Sequence, residues 1–140
     1  MQDITPFIQN HLSLIIALSV VIVLLLIVEL MRARRNAFSM TPTQAVQLIN
    51  HQEAVVIDLR AKEAFQKSHI VNAVSMPQSE LKDPVKKLEK YKSKPIIFVC
   101  STGIESQKIA AALLKQGYNA YSLAGGMRAW LTSDMPIIKG

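Results

Sequence analysis

Cys100 is the single cysteine in a chain of 140 residues. It follows the apolar run Pro95-Ile96-Ile97-Phe98-Val99 and opens the segment Cys100-Ser101-Thr102-Gly103-Ile104-Glu105-Ser106, where a helical pattern begins. A loop that carries a buried strand into a helix can turn successive backbone N–H groups inward and form a concave anion site. The following helix adds the positive end of its dipole. Both effects favour thiolate over thiol, and the thiolate is the nucleophile. Gly103 supplies the backbone freedom for a tight curl. A lone cysteine at a strand end is nevertheless more often a buried apolar residue, so the local sequence leaves a reactive and an inert reading open. An intrachain disulfide is excluded for want of a partner, which agrees with a thiol-reducing compartment. Phosphatase chemistry of the Cys-x5-Arg type needs an arginine fork on the phosphate. That position holds Ser106, so this chemistry is excluded too. No metal site and no cofactor are expected.

The elements that would position this loop read as alternating helices and strands. Thr41-Pro42-Thr43-Gln44 is a helix start, with Thr41 as N-cap, Pro42 at the first helical position and Gln44 completing a capping box. The helix should run to about Asn50. Ala54–Ile57 and Pro95–Val99 are continuous apolar runs of strand length, as expected of strands buried on both faces. A short helix at Ala61–Lys67, a brief strand at Ala73–Ser75, a helix from Ser106 to Gln116 closed by Gly117, a strand at Asn119–Leu123 and a helix at Met127–Leu131 complete the order. This alternation predicts an α/β fold, with a central parallel sheet of about five strands and helices on both faces. Ligands of such sheets bind at the carboxyl ends of the strands, which is where Cys100 falls.

The N-terminal quarter is different. From Ile4 to Val28 there is no charged residue, and Leu12–Val28 reads LSLIIALSVVIVLLLIV. As a helix at ~1.5 Å per residue this run spans about 26 Å. One further turn covers a hydrocarbon core of roughly 30 Å. A cleaved signal peptide fits poorly, because Met1-Gln2-Asp3 carries no positive side chain and no small-x-small site follows. The expected organisation is a tail over 1–10, a transmembrane helix over 11–31, a basic linker over 32–40 and a folded domain over 41–140. Arg32, Arg34 and Arg35 flank the span on its C-terminal side. The positive-inside rule then puts the N-terminus outside and the domain in the cytoplasm, as a single-pass protein of the cytoplasmic (inner) membrane. Ser13 and Ala17 form a small-xxx-small pair in the span, which is common in passive anchors as well as in associating helices.

The net charge of +6 draws much of its surplus from Lys82–Lys94. There Leu81, Val85, Leu88 and Tyr91 recur at helical spacing, with Lys82, Lys86 and Lys90 on another stripe. A solvated helix face and a surface for anionic lipid head groups both fit this pattern. Nucleic acid is not an expected partner, because no aromatic residues accompany the lysines in a recognisable module.

Four motifs in order resemble the rhodanese-like (sulfurtransferase) domain. Val56-Ile57-Asp58-Leu59-Arg60 matches its first strand. Ser68-His69-Ile70-Val71-Asn72-Ala73-Val74-Ser75-Met76-Pro77 is similar to GHIxGAxxxP, with Ser68 and Asn72 in place of two glycines. Cys100 through Ser106 matches the active-site loop. Gly117-Tyr118 and Leu123-Ala124-Gly125-Gly126-Met127-Arg128-Ala129-Trp130 match the closing signature. The likeness covers about residues 40–138, and with the anchor it extends to the bacterial membrane-anchored members of the family. It implies a sulfur relay in which Cys100 is the nucleophile. The backbone amides of Ser101, Thr102, Gly103, Ile104, Glu105 and Ser106 would bind the persulfide and the donor. Asp58, Arg60, His69, Gly125, Gly126 and Trp130 would be structural.

Thiosulfate-active members of the family carry basic side chains where this chain has Ser101 and Glu105. A carboxylate beside the thiolate is expected to raise the thiol pKa and repel a dianionic donor. At a few ångströms and an effective dielectric near 20, one such contact costs on the order of several kcal/mol, and solvent exposure shrinks it. The expected activity is therefore transfer of sulfur from an uncharged or protein-bound persulfide to a thiol acceptor. The competing expectation is a non-catalytic domain that docks a protein partner at the membrane, which itself contacts residues 11–31.

Overall fold

The structure, a computed structural model, describes residues 3–36, 38–81 and 83–139. Lys82, one of the lysines of the basic stripe, lies outside the described residues. The chain divides into two units, one ending at Ala37 and one beginning at Phe38.

The first unit holds two helices, α1 (Thr5–Asn10) and α2 (Leu12–Asn36). Leu12–Arg34 is long and apolar enough to cross a membrane, and none of it is buried within the unit. Two details depart from the sequence reading. Part of the segment expected as a tail is helical, because Pro6 sits in the first turn, where its missing N–H costs nothing. The start of the segment expected as a linker continues the long helix, since Met31, Arg32, Ala33 and Arg34 are good helix formers with no breaker among them.

The second unit is an α/β sandwich. Its elements in order are β1 (Ser39–Met40), α3 (Pro42–Gln52), β2 (Val55–Asp58), α4 (Lys62–Lys67), β3 (His69–Ile70), β4 (Val74–Ser75), α5 (Pro84–Leu88), β5 (Ile96–Val99), α6 (Ile104–Leu114), β6 (Ala120–Leu123), α7 (Gly126–Thr132) and β7 (Ile137–Ile138). Five strands form a parallel sheet in the order β1-β6-β5-β2-β4. The fifth strand, β1, comes from the stretch expected to be linker. Only two residues long, it shows no periodicity of its own, and it is recruited by pairing Ser39 and Met40 with Ser122 and Leu123 of β6. A second, antiparallel pair joins β3 to β7. It binds the C-terminal segment and has no counterpart in the sequence reading.

Alternation along the central strands explains the two cores. Val56, Ile97, Val99 and Leu123 face α3 and α7 and pack with Ala45, Met127 and Trp130. Ile57, Ile96, Phe98 and Ala120 face the other way, against Leu88 and the Ala110–Leu113 face of α6. Continuous apolar runs are what a sheet covered on both faces requires. The capping box forms as read: Gln44 N–H donates to Thr41 Oγ1 at 3.3 Å, and Thr41 N–H donates to Gln44 Oε1 at 3.0 Å. The lysine-rich segment does not make one long helix. α5 ends at Leu88, and Glu89–Tyr91 tightens into a 3₁₀ turn.

Candidate active site

Cys100 stands at the carboxyl end of β5, directly after Val99, and is 6% exposed. The loop behind it curls because Gly103 adopts φ +94°, a left-handed conformation that also caps α6. The curl turns the Gly103 N–H back onto Cys100 Sγ at 3.0 Å. Burial pushes the thiol pKa up, and hydrogen bonding outweighs it. The Ser106 hydroxyl and the Ser106, Gly103 and Thr102 amides together hold the thiol below its ordinary value. Of the six loop amides named from the sequence, those of Thr102, Gly103 and Ser106 therefore act on the sulfur.

The direction of this shift corrects the expectation drawn from Glu105. Its carboxylate does not bear on the sulfur. Glu105 Oε2 instead accepts a hydrogen bond from Gln78 Nε2 at 3.0 Å, on the turn that follows Pro77. The loop's own donors decide the ionisation of the cysteine. Gln78 was not legible as a partner, because no local pattern connects positions 27 apart. Ile104 is 61% exposed beside the loop, and Ser101 and Thr102 are exposed too.

α7 holds the loop from below. Its first free N–H groups donate to the loop carbonyls, Met127 to Cys100 O at 2.8 Å and Arg128 to Ser101 O at 3.2 Å. This approach is possible only because position 126 lacks a side chain. A Cβ there would lie 2.2 Å from Cys100 O and 2.8 Å from both Ser101 C and Ser101 O. Gly125 opens the same turn at φ +72°. Trp130, on the buried side of α7, donates from Nε1 to Pro136 O at 3.0 Å and so ties down the segment leading to β7.

The other motif residues hold the frame. Asp58 is 1% exposed at the end of β2 and receives both Nε and Nη2 of Arg60, with Nη2 at 2.8 Å. Arg60 Nη2 also donates to Ser68 O at 2.6 Å, which draws the α4–β3 junction onto the strand end. His69 stacks on Phe65 with ring centroids 3.9 Å apart, and its Nδ1 bonds Phe65 O at 2.8 Å. None of these bonds reaches the cysteine loop.

A second residue, besides Gln78, escaped the sequence reading. Ser122, fully buried on β6, places Oγ 2.8 Å from Ser106 Oγ, itself fully buried. The available signal was a serine in phase with Ala120, on a face of the strand Ala120-Tyr121-Ser122-Leu123 that is buried.

Comparison with known proteins agrees with this architecture. The family model of the rhodanese-like domain matches residues 41–133. The chain is 34% identical over 142 residues to the Escherichia coli K12 protein YibN, covering 100% of this chain and 99% of that one. It is 33% identical over 88 residues to the thiosulfate sulfurtransferase GlpE of Coxiella burnetii, covering 62% of this chain and 80% of that one. Among solved structures, a rhodanese-related protein from Thermoplasma volcanium superposes with a TM-score of 0.64 at 25% identity, over 71% of this chain and 96% of the other.

Proposed function

We propose that this chain, which belongs to the rhodanese-like domain family, is a membrane-tethered sulfurtransferase that carries sulfur as a persulfide on Cys100. The observation that carries the reading is the Gly103 N–H directed at Cys100 Sγ at 3.0 Å, in a loop that holds the thiol below its ordinary pKa. In the first half-reaction the Cys100 thiolate attacks the sulfane sulfur of a donor. An S–S bond forms, and the donor's bond to that sulfur breaks, its electron pair leaving with the donor. In the second, an acceptor thiolate attacks the outer sulfur and Cys100 leaves as thiolate. No metal or redox partner enters either step. The amides of Thr102, Gly103 and Ser106 stabilise the charge each time it returns to the cysteine sulfur.

Incubation of the full chain in detergent with a thiol persulfide tests this directly. The intact mass of the wild type should rise by one sulfur atom, and that of Cys100→Ser should not. A wild type left unmodified by several donors overturns the reading. It would favour a docking domain instead, for which the exposed Ile104 beside the loop is the supporting feature. A partner crosslinked equally well by Cys100→Ala and wild type would support that alternative.

The donor we propose is a thiol or protein-bound persulfide. The activity in the name of GlpE is not carried over, because residues 101–106 bring no cationic side chain to the loop and Glu105 brings a negative one. Replacing Glu105 with lysine turns a repulsive charge into an attractive one. The rate with thiosulfate is then expected to rise about tenfold or more at low salt, measured as cyanide-dependent thiocyanate release. An unchanged rate would show that the loop charge does not select the donor.

The tether is α2, with Arg32, Arg34 and Arg35 retained on the cytoplasmic side and the domain facing the cytoplasm. A C-terminal epitope tag should survive protease in intact spheroplasts and be lost on lysis. Loss from intact spheroplasts would reverse the orientation.

A further inference from the structure

We propose that Ser122 is a positioning residue for the sulfur chemistry, acting through Ser106 to aim a hydroxyl at Cys100 Sγ. The inference deepens the sulfur-transfer reading and rests on it for its purpose, while its geometry stands independently.

Ser106 Oγ has three polar neighbours and one proton to offer. It lies 3.5 Å from Cys100 Sγ, 3.1 Å from Gly103 O and 2.8 Å from Ser122 Oγ. As a thiol, Cys100 donates to Ser106 Oγ, and the Ser106 proton is directed to Gly103 O. When the sulfur is a thiolate it has no proton to donate and needs one instead. The Ser106 hydroxyl can then rotate from Gly103 O to the sulfur. Because the single Ser106 proton goes either to Gly103 O or to the sulfur, the contact with Ser122 is donated by Ser122 in both states, in a site where both serines are fully buried. Once the thiolate no longer donates, Ser122 O–H, at 2.8 Å, is the donor that Ser106 Oγ keeps. A donor to Ser106 Oγ also strengthens the bond that Ser106 makes, because hydrogen bonds in a chain polarise one another. The cycle needs this reorientation twice, when Cys100 ionises to attack and when it leaves as thiolate.

The fold places Ser122 for this part. Ala120 and Ser122 lie on the strand face that meets α6, and Ser106 occupies the first turn of that helix. Register with β5 sets Ser122 opposite Phe98, one pleat from the strand end that carries the cysteine. The strand's own bonds hold it there, with Ser122 N–H donating to Phe38 O at 2.9 Å. An apolar residue would satisfy the packing of this face, so the hydroxyl is the feature that packing leaves unexplained.

The test is the pH profile of Cys100 alkylation by iodoacetamide, on the full chain in detergent, for wild type, Ser122→Ala, Ser122→Thr and Ser122→Val. Cys100 is the sole cysteine, so the signal reports it alone. Ser122→Ala is expected to move the midpoint to higher pH and slow alkylation at neutral pH about threefold to tenfold, with the high-pH plateau unchanged. Thr and Val share a shape and any packing cost, and only Thr keeps the hydroxyl. Thr should therefore have the lower midpoint of the pair. An Ala variant with the wild-type profile, or Thr and Val profiles that coincide, would overturn the proposal. Alkylation requires no sulfur donor. A wild type that takes up no sulfur but shows the expected profiles would defeat the sulfur-transfer reading and leave the serine relay standing.

Discussion

Replacing Gly126 with alanine is expected to abolish sulfur uptake by Cys100 and to destabilise the domain by about 2–5 kcal/mol. Two costs combine. The residue sits at φ +56°, where any side chain is strained. The added Cβ would also meet three backbone atoms of the cysteine loop, Cys100 O and Ser101 C and O, with no flexible side chain able to give way. Relief has to come from separating α7 from the cysteine loop. That breaks the Met127 N–H to Cys100 O bond and moves the sulfur relative to the Gly103 amide. A displacement of about 1 Å in a reacting group commonly costs on the order of 100-fold in rate. Persulfide formation followed by intact mass, together with urea unfolding, checks both halves. A variant that unfolds at the wild-type midpoint and takes up sulfur at the wild-type rate would mean that the loop and α7 are not coupled as described.

Removal of the Arg60 guanidinium should have the largest effect on stability alone. Arg60→Ala leaves Asp58, 1% exposed, as a buried carboxylate without its cation, holding only the backbone N–H of residue 60, and frees Ser68 O from its 2.6 Å bond. Breaking a buried pair by deleting one partner costs about 3–5 kcal/mol. In a domain of this size each kcal/mol lowers Tm by roughly 4–8 °C. Arg60→Lys should recover little of the loss, because a single ammonium cannot span both carboxylate oxygens and the carbonyl together. Thermal unfolding of the two variants decides the point, and a lysine variant as stable as wild type would show that the fork geometry is dispensable. Residual variants that stay folded should keep the wild-type alkylation profile of Cys100, since the pair does not contact its loop.

The reach of the sequence was set by distance along the chain. The apolar runs at 54–57 and 95–99, the Thr41 capping box, the apolar stretch after Leu12 and the strand–loop–helix around Cys100 are all local patterns, and each is governed by forces acting within a few residues. They sufficed for the α/β class, for four of the five parallel strands and for the position of the cysteine at a strand end. The glycine pair at 125–126 was legible as a motif, while its reason, a carbonyl that leaves no room for a Cβ, was not.

Tertiary structure decided what depends on partners far away in the chain. β1 and β7 are two-residue strands that exist only through the neighbours they pair with. Glu105 was legible as a misplaced charge, and only the fold showed that Gln78, 27 positions earlier, receives it. Ser122 is 22 positions from Cys100 and reads as an ordinary strand residue until α6 brings Ser106 against it. The sequence by itself determined which atom could be a nucleophile. The packing of α6 and α7 against the sheet determined which donors face that atom, because hydrogen-bond geometry is settled over tenths of an ångström and no spacing rule carries that precision.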